Sequence, residues 1–130
     1  LLPQAGSLRM NEVSPHSLRG LALGLDALDP ALRARIDVVA GAAGDCCQAA
    51  GDAEVVIVDP PRKGLDAPLL EYLAAQPPER LIYVSCGLDS LLADTARLTA
   101  GGGMRLQDLA VFNLMPFTDH VETVATFERA

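Results

Sequence analysis

The chain has 130 residues, half of them hydrophobic, which is enough for one domain with its own core and too few for two comfortable ones. Its formal charge of −7 has the wrong sign for a surface that grips nucleic acid unaided. The longest apolar runs, VVIV and LIYV, fall far short of the roughly 20 residues that cross a bilayer as a helix, so a soluble protein with no membrane attachment is expected.

In chain order, the first strand is expected over Leu8 to Glu12. Ser14-Pro15 then supplies an N-cap and a proline at the first helical position, opening a helix to about Leu28 with an apolar stripe at Leu18, Leu21, Leu25 and Leu28. A second strand, Ile36 to Ala40, leads into a loop and short helical stretch holding Asp45, Cys46 and Cys47. The third strand, Glu54 to Val58, stops at DPPRKG. Asp66 caps a helix that ends before Pro77-Pro78, and the fourth strand runs from Leu81 to Ser85. The next helix, from about Leu88 to Thr99, ends at three glycines. Met104 to Asn113 and His120 to Glu128 are strand-like with no helix between them, so they are expected to pair antiparallel across Leu114 to Asp119.

Buried strands alternating with helices predict an α/β fold, a parallel sheet finished by an antiparallel hairpin. No linker or second domain is visible, so residues 1–130 are read as one domain. The first residues, Leu1-Leu2-Pro3-Gln4, carry no initiator Met and no targeting signature, and a piece of a longer protein is expected. Cys46, Cys47 and Cys86 are an odd set without CxxC spacing. They suit neither a disulfide framework nor a zinc site, and favour a cytoplasmic or other reducing compartment with no bound metal.

Ligands of an open α/β sheet bind beyond the carboxyl ends of its strands. That rule singles out Glu12, Asp45, Asp59 and Cys86, which are expected to face one crevice. Glu12 suits an acceptor for ribose hydroxyls of a nucleoside cofactor, and equally suits a carboxylate favouring the dipole of the following helix. Asp45 reads as a cofactor contact or, more commonly, as a cap. The two prolines after Asp59 fix successive φ angles and stiffen the loop, which suits a planar substrate as well as a plain strand stop. Arg62 and Lys63 place positive charge where an anionic substrate arrives, or form a solvated basic pair.

A small buried Cys is most often a core residue. Cys86, however, falls just past a strand end, beside Gly87 and near a helix N-terminus, where amide donors favour a thiolate. Cys46-Cys47 has no such setting and reads as packing. Alternation puts His120 and Glu122 on one face of the last strand, where Glu122 suits a general base or a solvated edge carboxylate.

NEVSP, IVDPPRKGLD, LIYVSCG and PFTDHVETVA, in that order and spacing from about Arg9 to Ala130, resemble successive motifs of the RNA uracil-5 methyltransferases. That family makes 5-methyluridine in transfer and ribosomal RNA with S-adenosylmethionine. The resemblance implies a class I, Rossmann-like methyltransferase sheet, incomplete at its N-terminal side. It also implies the nucleophile at Cys86, the proton acceptor at Glu122 and cofactor contacts at Glu12, Asp45 and Asp59. Pro60 and Arg62 are expected on the substrate side from the stiffness and positive charge of their loop. RNA is the implied partner, reached through the parent protein, and no metal is called for.

Departures accompany the match. Gly87-Leu88 follows the cysteine where Asn-Pro is common, and MPFTDHVE replaces FPQTxHVE. A glycine-rich first motif and upstream RNA-binding regions are not among these residues, so weak cofactor binding is expected of this chain alone. An inactive methyltransferase-fold assembly module is the rival expectation. A thiol hydrolase pairing Cys86 with His16 or His120 is a poorer one.

Overall fold

A computed structural model describes residues 4–114, 116–118 and 121–130. Its contacts divide the chain into two compact units, Leu1–Ala49 and Ala50–Ala130.

The first unit opens with β1 (Leu8–Glu12), which pairs in parallel with β2 (Ile36–Ala40) from Leu8↔Ile36 to Glu12↔Ala40. Between them runs α1 (Pro15–Asp26), where Ser14 Oγ accepts from the Ser17 amide and Pro15 sits in the first turn. The expected stripe turns inward, with Leu25 buried and Leu18, Leu21 and Leu28 half-buried. The helix stops two residues before Leu28 because Asp29-Pro30 repeats the same start signal. Asp29 accepts from the Ala31 amide at 2.9 Å and opens the short α2 (Pro30–Arg33), a turn that the periodicity does not predict. A 3₁₀ stretch, Ala43–Ala50, follows β2 and breaks at Cys46. Cys47 is buried there, and no disulfide joins Cys46, Cys47 and Cys86.

The second unit is a four-stranded sheet with two helices. β3 (Val55–Val58) leads through α3 (Ala67–Ala75) to β4 (Arg80–Ser85), and the two strands pair in parallel from Val55↔Arg80 to Val58↔Tyr83. Asp66 caps α3 by accepting from the Leu69 amide at 3.1 Å, as its position before the apolar run predicts. Then come α4 (Leu88–Ala100), β5 (Met104–Phe112) and β6 (Glu122–Arg129). The expected antiparallel hairpin forms, but its second strand inserts next to β4, giving the order β3-β4-β6-β5.

Strand alternation puts Leu81, Tyr83 and Ser85 of β4, and Thr123, Ala125 and Phe127 of β6, on one buried face. Leu73 of α3 and Leu91 and Leu98 of α4 complete this core. Each such Leu or Phe contributes about 1.5–3 kcal/mol by leaving water. Arg97 Nε donates to Glu71 Oε1 at 2.8 Å, linking the exposed sides of α4 and α3. That contact holds the Glu71 carboxyl below its usual range.

Candidate active site

Cys86 follows the last residue of β4 and precedes Gly87, which occupies the N-cap of α4. It is half-buried. Two features of the local sequence hold it there. Ser85, almost fully buried, spans the cysteine with its hydroxyl, accepting from the Gly87 amide at 3.1 Å and donating to the Gly87 carbonyl at 3.0 Å. Gly87 in turn offers its carbonyl to the Leu91 amide at 3.1 Å, the first bond of the helix. The backbone on both sides of the thiol is therefore fixed.

The β4–β6 ladder closes with Val84↔Val124 and Ser85↔Thr123. Its next rung would set Cys86 against Glu122, the first residue of β6. By alternation Glu122 shares the face of Val124, opposite the core face. Glu122 is half-buried. Sheet pairing thus brings a thiol and a carboxylate from distant parts of the chain to one strand end. His120 lies outside the described residues. In the loop before Glu122, Phe117 is fully exposed and has φ 70, a left-handed conformation that is unusual for a bulky residue.

Asp59, exposed, follows Val58, the last residue of β3. Because Val58 pairs with Tyr83, the loop beginning Asp59-Pro60-Pro61 leaves β3 beside the last residues of β4. Pro60 is half-buried, and Arg62 and Lys63 are exposed. The prolines are not the only source of rigidity. The loop turns at Gly64 (φ 87), whose amide donates to the Pro61 carbonyl at 2.9 Å. Two side chains of α4 then hold it. Ser90 Oγ donates to the Arg62 carbonyl at 2.8 Å, and Asp94 Oδ2 accepts from the Leu65 amide at 2.9 Å.

Asp94 Oδ2 also accepts from the Tyr83 hydroxyl at 2.7 Å. Asp94 is 7% exposed and Tyr83 is fully buried. Burial first, and the Asp94 carboxylate second, push the Tyr83 hydroxyl above its ordinary value. None of Tyr83, Ser85, Ser90 or Asp94 stands out as functional in the sequence. The available signal was Asp94 itself, an acidic residue on the apolar stripe of Leu91 and Leu98, where an unpartnered carboxylate would be costly.

In the first unit, Glu12 ends β1 half-buried. Its Oε1 accepts from the Val13 amide at 2.8 Å and the Ser14 amide at 2.7 Å. The carboxylate thus does steady the start of α1, and it does so through one oxygen. Asp45 lies exposed in the first turn of the 3₁₀ stretch after β2. Among the described residues, no group of three or more His, Cys, Asp and Glu side chains is placed to hold a metal ion. A shallow concavity lined by Glu71, Ala74, Ala75, Arg97 and Gly101 sits at the other end of α4 from Cys86 and contains none of the candidate residues.

Comparison with known proteins gives matches of three kinds. A family model described as tRNA (Uracil-5-)-methyltransferase matches residues 49–130. An uncharacterised RNA methyltransferase of Protochlamydia amoebophila is 34% identical over 122 residues, which is 94% of this chain and 32% of that relative. The 23S rRNA (uracil(1939)-C(5))-methyltransferase RlmD of Azoarcus sp. is 39% identical over 85 residues, 65% of this chain and 20% of its own length. The chain therefore spans a third or less of these relatives. Among solved structures, the tRNA (uracil-54, C5)-methyltransferase of Pyrococcus abyssi, in complex with S-adenosyl-L-homocysteine, superposes with a TM-score of 0.78 at 22% identity. That superposition covers 98% of this chain and 30% of the other, and it shows the class I methyltransferase fold.

Proposed function

Because the chain belongs to the tRNA (Uracil-5-)-methyltransferase family, we propose that the intact protein methylates C5 of a uridine in tRNA or rRNA through a covalent Cys86–C6 adduct. The observation that supports this reading is the end of the β4–β6 ladder at Ser85↔Thr123, since the residues adjoining that last pair are Cys86 and Glu122. A thiol and a carboxylate at one strand end are the two groups the chemistry needs.

C5 of uracil is a poor nucleophile. Cys86 adds its thiolate to C6, forming the S–C6 bond and giving C5 enolate character. When bound, S-adenosylmethionine supplies the electrophilic methyl that C5 takes up. Glu122 then accepts the C5 proton, and elimination breaks the S–C6 bond, restoring the C5–C6 double bond and the thiolate. The fixed backbone on either side of Cys86 favours this step by holding the thiol in place before the base arrives.

Glu12 fits the cofactor's ribose. Two amide bonds to Oε1 orient the carboxylate, and its half-buried place at the strand end leaves the second oxygen as an acceptor for a hydroxyl. Asp45 and Asp59, each exposed beyond the end of its own strand, are proposed cofactor contacts on the strength of the family resemblance. Pro60 and Arg62 suit the substrate side. With a formal charge of −7 on these residues, the RNA grip belongs to other parts of the intact protein. Three cysteines without CxxC spacing suit a reducing compartment.

The test is to incubate the intact protein with S-adenosylmethionine and RNA containing 5-fluorouridine, in which fluorine blocks the final proton removal. A stable protein–RNA adduct that disappears in Cys86→Ala is expected. Undiminished methylation of ordinary RNA by Cys86→Ala would overturn the mechanism.

A further inference from the structure

The loop from Asp59 to Leu65 and the turn around Cys86 touch at one unusually close point. A Cβ at position 87 would lie 2.7 Å from the Arg62 carbonyl oxygen and 3.0 Å from Ser90 Oγ, closer than packed atoms approach. The absent side chain at Gly87 is the space into which the Arg62 carbonyl fits. Ser90 Oγ lies 2.8 Å from that carbonyl oxygen and 2.9 Å from the Gly87 carbonyl oxygen, so its single proton is shared between the two loops. One turn along α4, Asp94 holds the Leu65 amide and the Tyr83 hydroxyl with the same oxygen. Gly64 allows this, because a Cβ there would lie 2.7 Å from Asp94 Oδ2.

We infer that Ser90 and Asp94 are positioning residues, which with Gly87 lock the Asp59–Leu65 loop in register with the Cys86 turn. The inference rests on the uracil-methyltransferase reading for its function and on these contacts for its geometry. Neither side chain meets the base. Each fixes backbone that carries a proposed contact, Pro60 and Arg62 on one side and Cys86 on the other. The lock needs acceptors at position 94 and a donor at position 90, and no net charge, since both partners of Asp94 Oδ2 are hydrogen donors. A side chain at position 87 displaces the loop, so putting the commoner Asn there is expected to impair the site.

The experiment compares Ser90→Ala, Gly87→Ala, Asp94→Ala and Asp94→Asn in the intact protein, with 5-fluorouridine RNA and S-adenosylmethionine under single-turnover conditions. A displacement of an ångström at a reacting centre costs on the order of 100-fold, so the first three are expected to form adduct about 10- to 100-fold more slowly at saturating RNA. Asp94→Asn, which keeps an acceptor oxygen, should recover to within about threefold of wild type by the same positional logic. Circular dichroism records the folded fraction of each variant. Slowing in proportion to lost folded protein, or Ser90→Ala and Gly87→Ala both within twofold of wild type, would overturn the inference. If wild type itself forms no adduct, the uracil reading fails and a second measurement still decides the lock. Site-resolved iodoacetamide labelling should then show Cys86 alkylated severalfold faster in Ser90→Ala with Cys46 unchanged, whereas an unchanged Cys86 rate refutes the lock.

Discussion

Tyr83→Phe isolates one buried bond. The ring is fully buried and its hydroxyl donates to Asp94 Oδ2 at 2.7 Å. Phenylalanine keeps the ring packing and removes only that donor, so the expected loss is that of a hydrogen bond to a carboxylate, about 1.5–3 kcal/mol. With a urea dependence of about 1–3 kcal/mol per molar, the midpoint near pH 8 should fall by about 0.5–3 M. Alkali gives a second signature. Burial and Asp94 raise the Tyr83 hydroxyl above its ordinary value of 10.0, so above about pH 10 the unfolded chain loses a proton that the folded chain keeps. The unfolded state then binds fewer protons, and wild-type stability should drop by about 1.4 kcal/mol per pH unit from this group. The variant has no such hydroxyl. The gap between the two proteins should therefore narrow by about 1.4 kcal/mol between pH 9 and pH 11. Urea titrations of the intact protein followed by circular dichroism at each pH make the measurement. A gap below about 0.5 kcal/mol at pH 8, or one that does not change with alkali, would refute the buried Tyr83–Asp94 bond.

Three other outcomes follow from the site and the core. Glu122→Gln should still form the covalent adduct with ordinary uridine RNA but release it slowly, so that adduct accumulates in rapid-quench samples; equal loss of formation and release would make Glu122 structural. Glu12→Gln keeps an oxygen for the Val13 and Ser14 amides while removing the charged acceptor. Affinity for S-adenosylhomocysteine, read by calorimetry, should fall about tenfold or more with thermal stability retained. Phe127→Ala opens a cavity at a fully buried ring and should cost about 3–5 kcal/mol, seen as a large loss of the folded fraction; a loss under 1 kcal/mol would put Phe127 outside the core.

Local signals were legible in the sequence because they act over a few residues. Ser14-Pro15 and Asp66 mark helix starts that the structure contains, and the same logic applied to Asp29-Pro30 would have found α2. The strand ends bearing Glu12, Asp59 and Cys86 were legible for the same reason. What the sequence could not display was which strand lies beside β4. Chain order leads from α4 to β5, yet β6 takes the place next to β4, and only that insertion brings Glu122 to the rung next to Ser85↔Thr123. Side chain to backbone bonds were equally hidden, since the acceptors at Arg62 and donors at Leu65 look like any other peptide groups.

Gly87 shows how the two levels combine. Against the family pattern it reads as the loss of an amide side chain beside Cys86. In the folded unit its missing side chain is occupied by the Arg62 carbonyl at a distance no Cβ could tolerate, and Ser90 fastens that carbonyl in place. A residue that lacks a functional group thus permits a backbone contact that a larger residue would forbid. Gly87 and Ser90 meet the same carbonyl, so substitutions at the two positions are expected to couple. The double variant Gly87→Asn with Ser90→Ala tests this coupling. The loop that Asn displaces has then already lost its tether, and the double variant should be little slower than Gly87→Asn alone. Fully additive losses in adduct formation would mean that the two residues act independently.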